Sequence, residues 1–79
     1  MASRRLKLVF NRDLVTEPVI YHLGRDFDVV TNLRRADVAK DHGWVILELS
    51  GDPAELDRGI QYLRSRGVSV EAAEGDLVE

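Results

Sequence analysis

The sequence predicts an α+β sandwich in which a four-stranded antiparallel sheet carries two helices on one face, in the order βαββαβ. Two observations lead there. First, the chain repeats itself: residues 5–30 and residues 44–72 each read strand, acidic turn, proline-opened helix, strand. Second, the leading segments alternate apolar and polar residues with the period of a half-buried strand. Two βαβ halves in so short a chain define the split-βαβ, ferredoxin-like arrangement. In that topology class the strands lie in the spatial order 4-1-3-2. At 79 residues the chain has room for a single domain, with a core over about 5–73 and an acidic tail at 74–79.

Each element has its own reason. In the first strand Leu6, Leu8 and Phe10 share one side, with Arg5, Lys7 and Val9 on the other. Asn11, Arg12 and Asp13 are turn residues. Thr16 is a good helix N-cap, and Pro18 suits the first turn, where its missing N–H costs nothing. Ile20 and Leu23 then recur at helical spacing, and Gly24 reads as a stop signal. The second strand starts at Phe27 and runs to Leu33 or on to Val38. Phe27, Val29, Thr31 and Leu33 fall on one face, with Asp28, Val30, Asn32 and Arg34 on the other. The polar stretch from Ala36 to Gly43 holds the hairpin. The third strand, Trp44 to Leu49, turns Val45, Leu47 and Leu49 one way and Trp44, Ile46 and Glu48 the other. Asp52 and Glu55 have capping-box spacing around Pro53. Leu56, Ile60 and Leu63 form the inner stripe of the second helix, with Gly59 at a place of close packing. Gly67 is its C′ residue, and Val68 to Ala72 make the last strand. The expected core is Leu8, Phe10, Ile20, Leu23, Val45, Leu47, Leu56, Ile60, Leu63 and Val70.

Composition narrows the chemistry. Cysteine is absent, so disulfides, thiolate catalysis and cysteine-ligated metal are excluded. The content of 44% hydrophobic and 32% charged residues is that of an ordinary globular domain. No apolar run reaches membrane-spanning length, and residues 1–5 lack an apolar signal core, so a cytoplasmic setting without membrane insertion is expected. His22 and His42 have no companions at metal-ligand spacing. No serine sits in a nucleophile elbow, no glycines have phosphate-cradling spacing, and no carboxylate pair stands in an apolar setting. The reading is a non-enzyme with no catalytic residues, no metal and no cofactor.

The sheet face opposite the helices carries more chemistry. Val9, Val30, Trp44 and Ile46 fall on it among Lys7, Asn32, Glu48, Ser69 and Glu71. Such an apolar group on an uncovered face marks an interface. Arg4, Arg5, Lys7, Arg34 and Arg35 raise the question of nucleic acid. RNA-binding sheets of this topology need several stacking aromatics on the central strands, and here Trp44 stands nearly alone. With a net charge of -3, a solvated charged face is the better reading, and no nucleic-acid partner is expected.

Leu8-Val9-Phe10, Glu17-Pro18-Val19-Ile20, Phe27-Asp28-Val29, Asn32-Leu33, Gly43, the run Val45 to Gly51, Tyr62-Leu63 and Gly67 to Glu71 form an ordered set. In that order and spacing the sequence resembles the NIL domain, a small ferredoxin-like regulatory domain. It is known from the ATPase subunits of bacterial methionine importers and from beside iron–sulfur ferredoxin modules. The Asn-Ile-Leu tripeptide that names the family corresponds here to Asn32-Leu33-Arg34, with arginine in place of leucine. The loop Lys40-Asp41-His42 is shorter than in the transporter domains. The resemblance implies that Asn32 contacts an amino-acid ligand such as methionine at a homodimer boundary. Thr31, Leu33, Arg34, Gly43 and Trp44 would be its neighbours. Two functions therefore stand side by side: amino-acid sensing, and a protein-interaction module that docks its bare sheet face on a protein partner without a small ligand.

Overall fold

The computed structural model describes residues 2–11, 18–39 and 42–73. Its elements are β1 (Ala2–Phe10), α1 (Val19–Asp26), β2 (Val29–Val38), β3 (Gly43–Gly51), α2 (Pro53–Ser65) and β4 (Ser69–Ala72). The strands form one antiparallel sheet in the order β2-β3-β1-β4, as the topology class requires. Thr16, the Arg12–Asp13 turn, Lys40–Asp41 and the acidic tail lie outside the described residues.

The core lies between one sheet face and both helices. Leu8, Leu23, Leu47, Leu49, Leu56 and Leu63 are completely buried, with Val19, Val29, Val45, Val68, Leu6, Phe10 and Ile60 around them. Ile20 and Val70, expected inside, are only partly covered and pack against the edge of this cluster. The two helices meet at Gly59, where an added Cβ would stand 3.0 Å from Leu23 Cδ1. The glycine is therefore a packing device, as its spacing predicts.

Helix ends are where tertiary contacts outrank local signals. Helix α1 does not stop at Gly24 but runs two residues further, and Phe27 caps it in an extended conformation. Pro18 lies just outside the helix rather than in its first turn, and its carbonyl accepts from His22 N–H at 3.1 Å. At α2 the capping box does not form. Asp52 makes no side-chain cap bond, and the Glu55 carboxylate is engaged elsewhere. It accepts Asp28 N–H at 2.9 Å and Arg58 at 2.5 Å, which ties the start of α2 to the turn before β2. These donors hold the Glu55 carboxyl below its ordinary pKa, the Asp28 N–H first and Arg58 second. The C-terminal end of α2 follows expectation. Gly67 adopts φ 91°, its N–H reaches Arg64 O, and Val68 N–H reaches Leu63 O, which is a Schellman closure. Val68 and Leu63 are both buried, so the closure feeds β4 straight into the core.

Strand β2 departs most from simple alternation. It pairs regularly with β3 from Val29↔Gly51 to Leu33↔Leu47, then jumps to Arg35↔Ile46. Arg34 is therefore a bulge residue, one extra position opposite the same partner strand. After it the parity reverses, so that Ala36 and Val38 fall on the helix side and Arg35 and Asp37 on the open side. Alternation counted from Phe27 does not anticipate this. The hairpin then closes through Ala39 N–H to His42 O at 2.8 Å.

Candidate functional site

Directly opposed residues of an antiparallel sheet share a face, so the register lays out the open face row by row. The first row is Val30, Ser50 and Ser3, where the two serine hydroxyls meet at 2.9 Å. The second is Asn32, Glu48 and Arg5. The third is Arg35, Ile46, Lys7 and Glu71, and the fourth Asp37, Trp44, Val9 and Ser69. Arg34 joins the second row from its bulge.

Charges of both signs meet in that second row. Glu48 lies 3.6 Å from Arg5 and 3.8 Å from Arg34, one carboxylate oxygen toward each. Arg4, grouped by sequence with these arginines, points to the opposite side and pairs with Asp57 of α2 at 2.7 Å. On the open face Arg5, Lys7, Arg34 and Arg35 are offset by Asp37, Glu48 and Glu71, so no strongly basic surface results.

The apolar part of the face is less bare than alternation implies. Lys7 Nζ lies 5.5 Å from the Trp44 ring centre and the Arg35 guanidinium 5.9 Å from it, one from each neighbouring strand. Long basic side chains lay their methylene stems over apolar neighbours while their heads stay wet. Ile46, flanked by these same two residues, is only 7% exposed, and Trp44 is half-buried. Of the four expected interface residues, Val9 at 36% and Val30 at 61% are the open ones.

The expected ligand residues divide between the two faces. Asn32 and Trp44 lie on the open face, two rows apart, and Arg34 reaches the same face through Glu48. Thr31, Leu33 and Gly43 point to the helix side, because successive residues of a strand alternate. Thr31 approaches Gly24 of α1, Gly43 is buried opposite Val38, and Leu33 is 55% exposed beyond the end of the helix layer. The six therefore do not line one pocket within a single chain. Glu48, Arg5 and Arg35 complete the open-face group and were outside the expected set. Glu48 and Arg5 were legible from alternation, whereas Arg35 needs the bulge. Among the described residues no group of His, Asp or Glu gathers to hold a metal ion. None of their helices is long and apolar enough to cross a membrane.

The sequence model of the NIL domain matches residues 4–72. The chain belongs to the NIL domain family. The same stretch is similar to part of several curated proteins. Methionine import ATP-binding protein MetN 1 of Oceanobacillus iheyensis is 36% identical over 70 residues, covering 84% of this chain and 21% of that protein. MetN 1 of Listeria innocua is 32% identical over 78 residues, covering 91% and 22%. MetN of Helicobacter pylori is 29% identical over 69 residues, covering 82% and 21%. This NIL domain thus spans about a fifth of the length of the curated relatives it matches. Among solved structures, the C-terminal domain of an ABC transporter / ATP-binding protein from Enterococcus faecalis superposes with a TM-score of 0.77. The match has 19% identity and covers 89% of this chain and 82% of that one. At that identity the likeness speaks for the fold, which the NIL domain shares.

Proposed function

We propose that this NIL domain is a non-catalytic regulatory module that binds an amino acid, methionine first among candidates, at the boundary of a homodimer. The observation that carries the reading is Asn32. It stands exposed in mid-strand on the open face, opposite Glu48 and beside Arg34. Asparagine is a poor strand former, and its amide both donates and accepts, which suits a ligand with an ammonium and a carboxylate group. The names of the curated relatives, methionine import ATP-binding proteins, set the first candidate. A cytoplasmic setting, where ATP is available to such proteins, belongs to the same reading. Because Thr31, Leu33 and Gly43 point away from Asn32, a second copy supplies the remaining walls. Val9, Val30 and the exposed part of Trp44 lie at the subunit contact, with Ile46 beneath it.

Calorimetry with L-methionine and with chemically different amino acids tests the reading. Binding at millimolar concentration or tighter, weakened at least about tenfold by Asn32→Ala, is the expected result. No heat from any amino acid at millimolar concentration ends it. Val30→Lys is the clean probe of the dimer, since Val30 is exposed and the monomer tolerates the charge. Light scattering should show the variant as a monomer where the native domain is a dimer.

A second reading has its own observation. Val30, Leu33 and Val38 are 61%, 55% and 58% exposed and all lie on β2, which borders the sheet. An edge strand with exposed apolar side chains suits a protein partner added along it, with no small ligand. Binding of no amino acid, together with a stable monomer, would favour this alternative.

A further inference from the structure

We propose that the outer edge of β2 takes up an extended segment of a partner protein in which apolar and polar residues alternate, with acidic residues at its centre against Arg34 and Arg35. This rests on the reading of β2 as an edge for a protein partner and adds the chemistry and orientation of that partner.

The two edges of the sheet are built differently. Strand β4 offers four residues, Ser69 to Ala72. Its one large apolar side chain, Val70, packs against the core, and Glu71 sets a charge beside it. A short, charged edge is one of the ways in which sheets avoid joining further strands. Strand β2 offers ten residues and contains neither proline nor lysine. Among the described residues the large apolar side chains left exposed are Val9, Tyr21, Val30, Leu33 and Val38, and three of these lie on β2. An edge of this kind gives an added strand main-chain donors and acceptors for affinity, and its side chains do the selecting.

The bulge sets what is selected. It brings Arg34 and Arg35, at consecutive positions, to the same open side, where regular alternation would send them to opposite sides. Both are exposed. Leu33 lies on the helix side, and beyond the bulge Ala36 and Val38 follow it there, all three exposed. The middle and distal part of the edge therefore presents apolar groups on one side and two guanidinium groups on the other. An added strand alternates as well, so one set of its side chains falls beside Leu33, Ala36 and Val38 and the other beside the arginines. A carboxylate suits the second set, since a guanidinium fork takes both of its oxygens. Arg34 has donors to spare, because Glu48 stands 3.8 Å away, beyond a good hydrogen bond. Along the open side the arginines stand between Asn32 and Asp37, which places the acidic residues at the centre of the added segment. The same charges argue against a second copy of this chain as the occupant. Antiparallel pairing of β2 with itself over its full length puts the two-fold axis beside Arg34, so that the arginines of both copies crowd together at the centre, and like charges across a strand pair are destabilising.

The test is fluorescence anisotropy on the native chain with a labelled, end-blocked peptide that alternates valine with threonine, the two central threonines being replaced by glutamate. The expected result is saturable binding, at least about tenfold tighter than that of the same peptide with lysine in place of glutamate. Amide shift changes in NMR spectra of the domain should concentrate on β2. Arg34→Glu combined with Arg35→Glu should reverse the preference in favour of the lysine peptide. Far-UV circular dichroism checks that this variant folds, and the two peptides on native protein decide the matter without it. Equal binding of the two peptides would overturn the acidic partner and leave the edge reading standing. Shift changes concentrated on β4 or on the helices, or no binding of either peptide at millimolar concentration, would end the edge reading and the proposal with it. A peptide that binds by dissociating a dimer of the chain, seen by light scattering, would assign the edge to a second copy and overturn the proposal.

Discussion

The two βαβ halves of this domain follow one plan and end up with different duties. Their leading strands, β1 and β3, lie side by side in the centre of the sheet and bury the same kind of residue, Leu6, Leu8 and Phe10 in one and Val45, Leu47 and Leu49 in the other. Their helices differ. Helix α2 has 13 residues, buries Leu56, Gly59, Ile60 and Leu63, and is locked at its end by the Gly67 closure. Helix α1 has 8 residues and buries Val19 and Leu23. The trailing strands invert the relation, with 10 residues in β2 and 4 in β4. Strand β2 outruns the helix layer, so its distal part meets solvent on both sides, and it carries the bulge. The repeated features build the frame, and the candidate site forms where β2, the strand that departs from the repeat, runs beside β3.

Leu47 and Leu33 test that division most strongly. They face each other across β3 and β2, and Leu47 is completely buried while Leu33 is 55% exposed. Leu47→Ala should cost about 2–5 kcal/mol of stability, and Leu33→Ala should change it by no more than about 0.5 kcal/mol, both read from urea denaturation. Equal losses would mean that β2 is covered and the contrast between the halves is wrong.

The glycines give a smaller contrast of opposite sign. Gly67 sits at φ 91°, so Gly67→Ala should destabilise by roughly 1 kcal/mol. Gly24 lies inside α1, and a Cβ there would meet Thr31 at an ordinary 3.7 Å. Gly24→Ala should therefore stabilise the short helix by up to about 1 kcal/mol. Thermal melts of the two variants should move in opposite directions.

The smallest effect concerns the join between the halves. Glu55 of α2 holds Asp28 N–H, and its carboxyl titrates below the ordinary carboxylate range. A depressed carboxyl contributes stability above its unfolded pKa and loses it as the pH falls through the folded one. Glu55→Gln should therefore melt below the native domain at neutral pH, and the gap should close in acid. Asp26, depressed by its hydrogen bond to Arg25, titrates in the same direction, so the variant should retain some acid sensitivity. A gap that is constant across pH would mean that the carboxylate does not join the halves.

Much of the fold was legible because strand and helix periods are local. Leu6, Leu8 and Phe10 at period two, and Leu56, Ile60 and Leu63 at helical spacing, determined which sides face inward, and Gly67 marked its turn because few other residues adopt that backbone. The order and spacing of short segments likewise carried the family resemblance. Other features depend on what a residue meets far along the chain. Glu55 has capping-box spacing, yet its carboxylate lies near Asp28, 27 positions away, and bonds there. Gly24 looks like a helix stop, but α1 continues past it. Ile46 lies on the open face and is still buried, because Lys7 and Arg35 arrive from two different strands. The candidate site divides along the same line. The sequence by itself determined that Asn32 stands on the open face. Only the tertiary structure decided that Arg34 bulges out of register to meet Glu48, since a bulge is set by how two strands fit together rather than by the residues of either one.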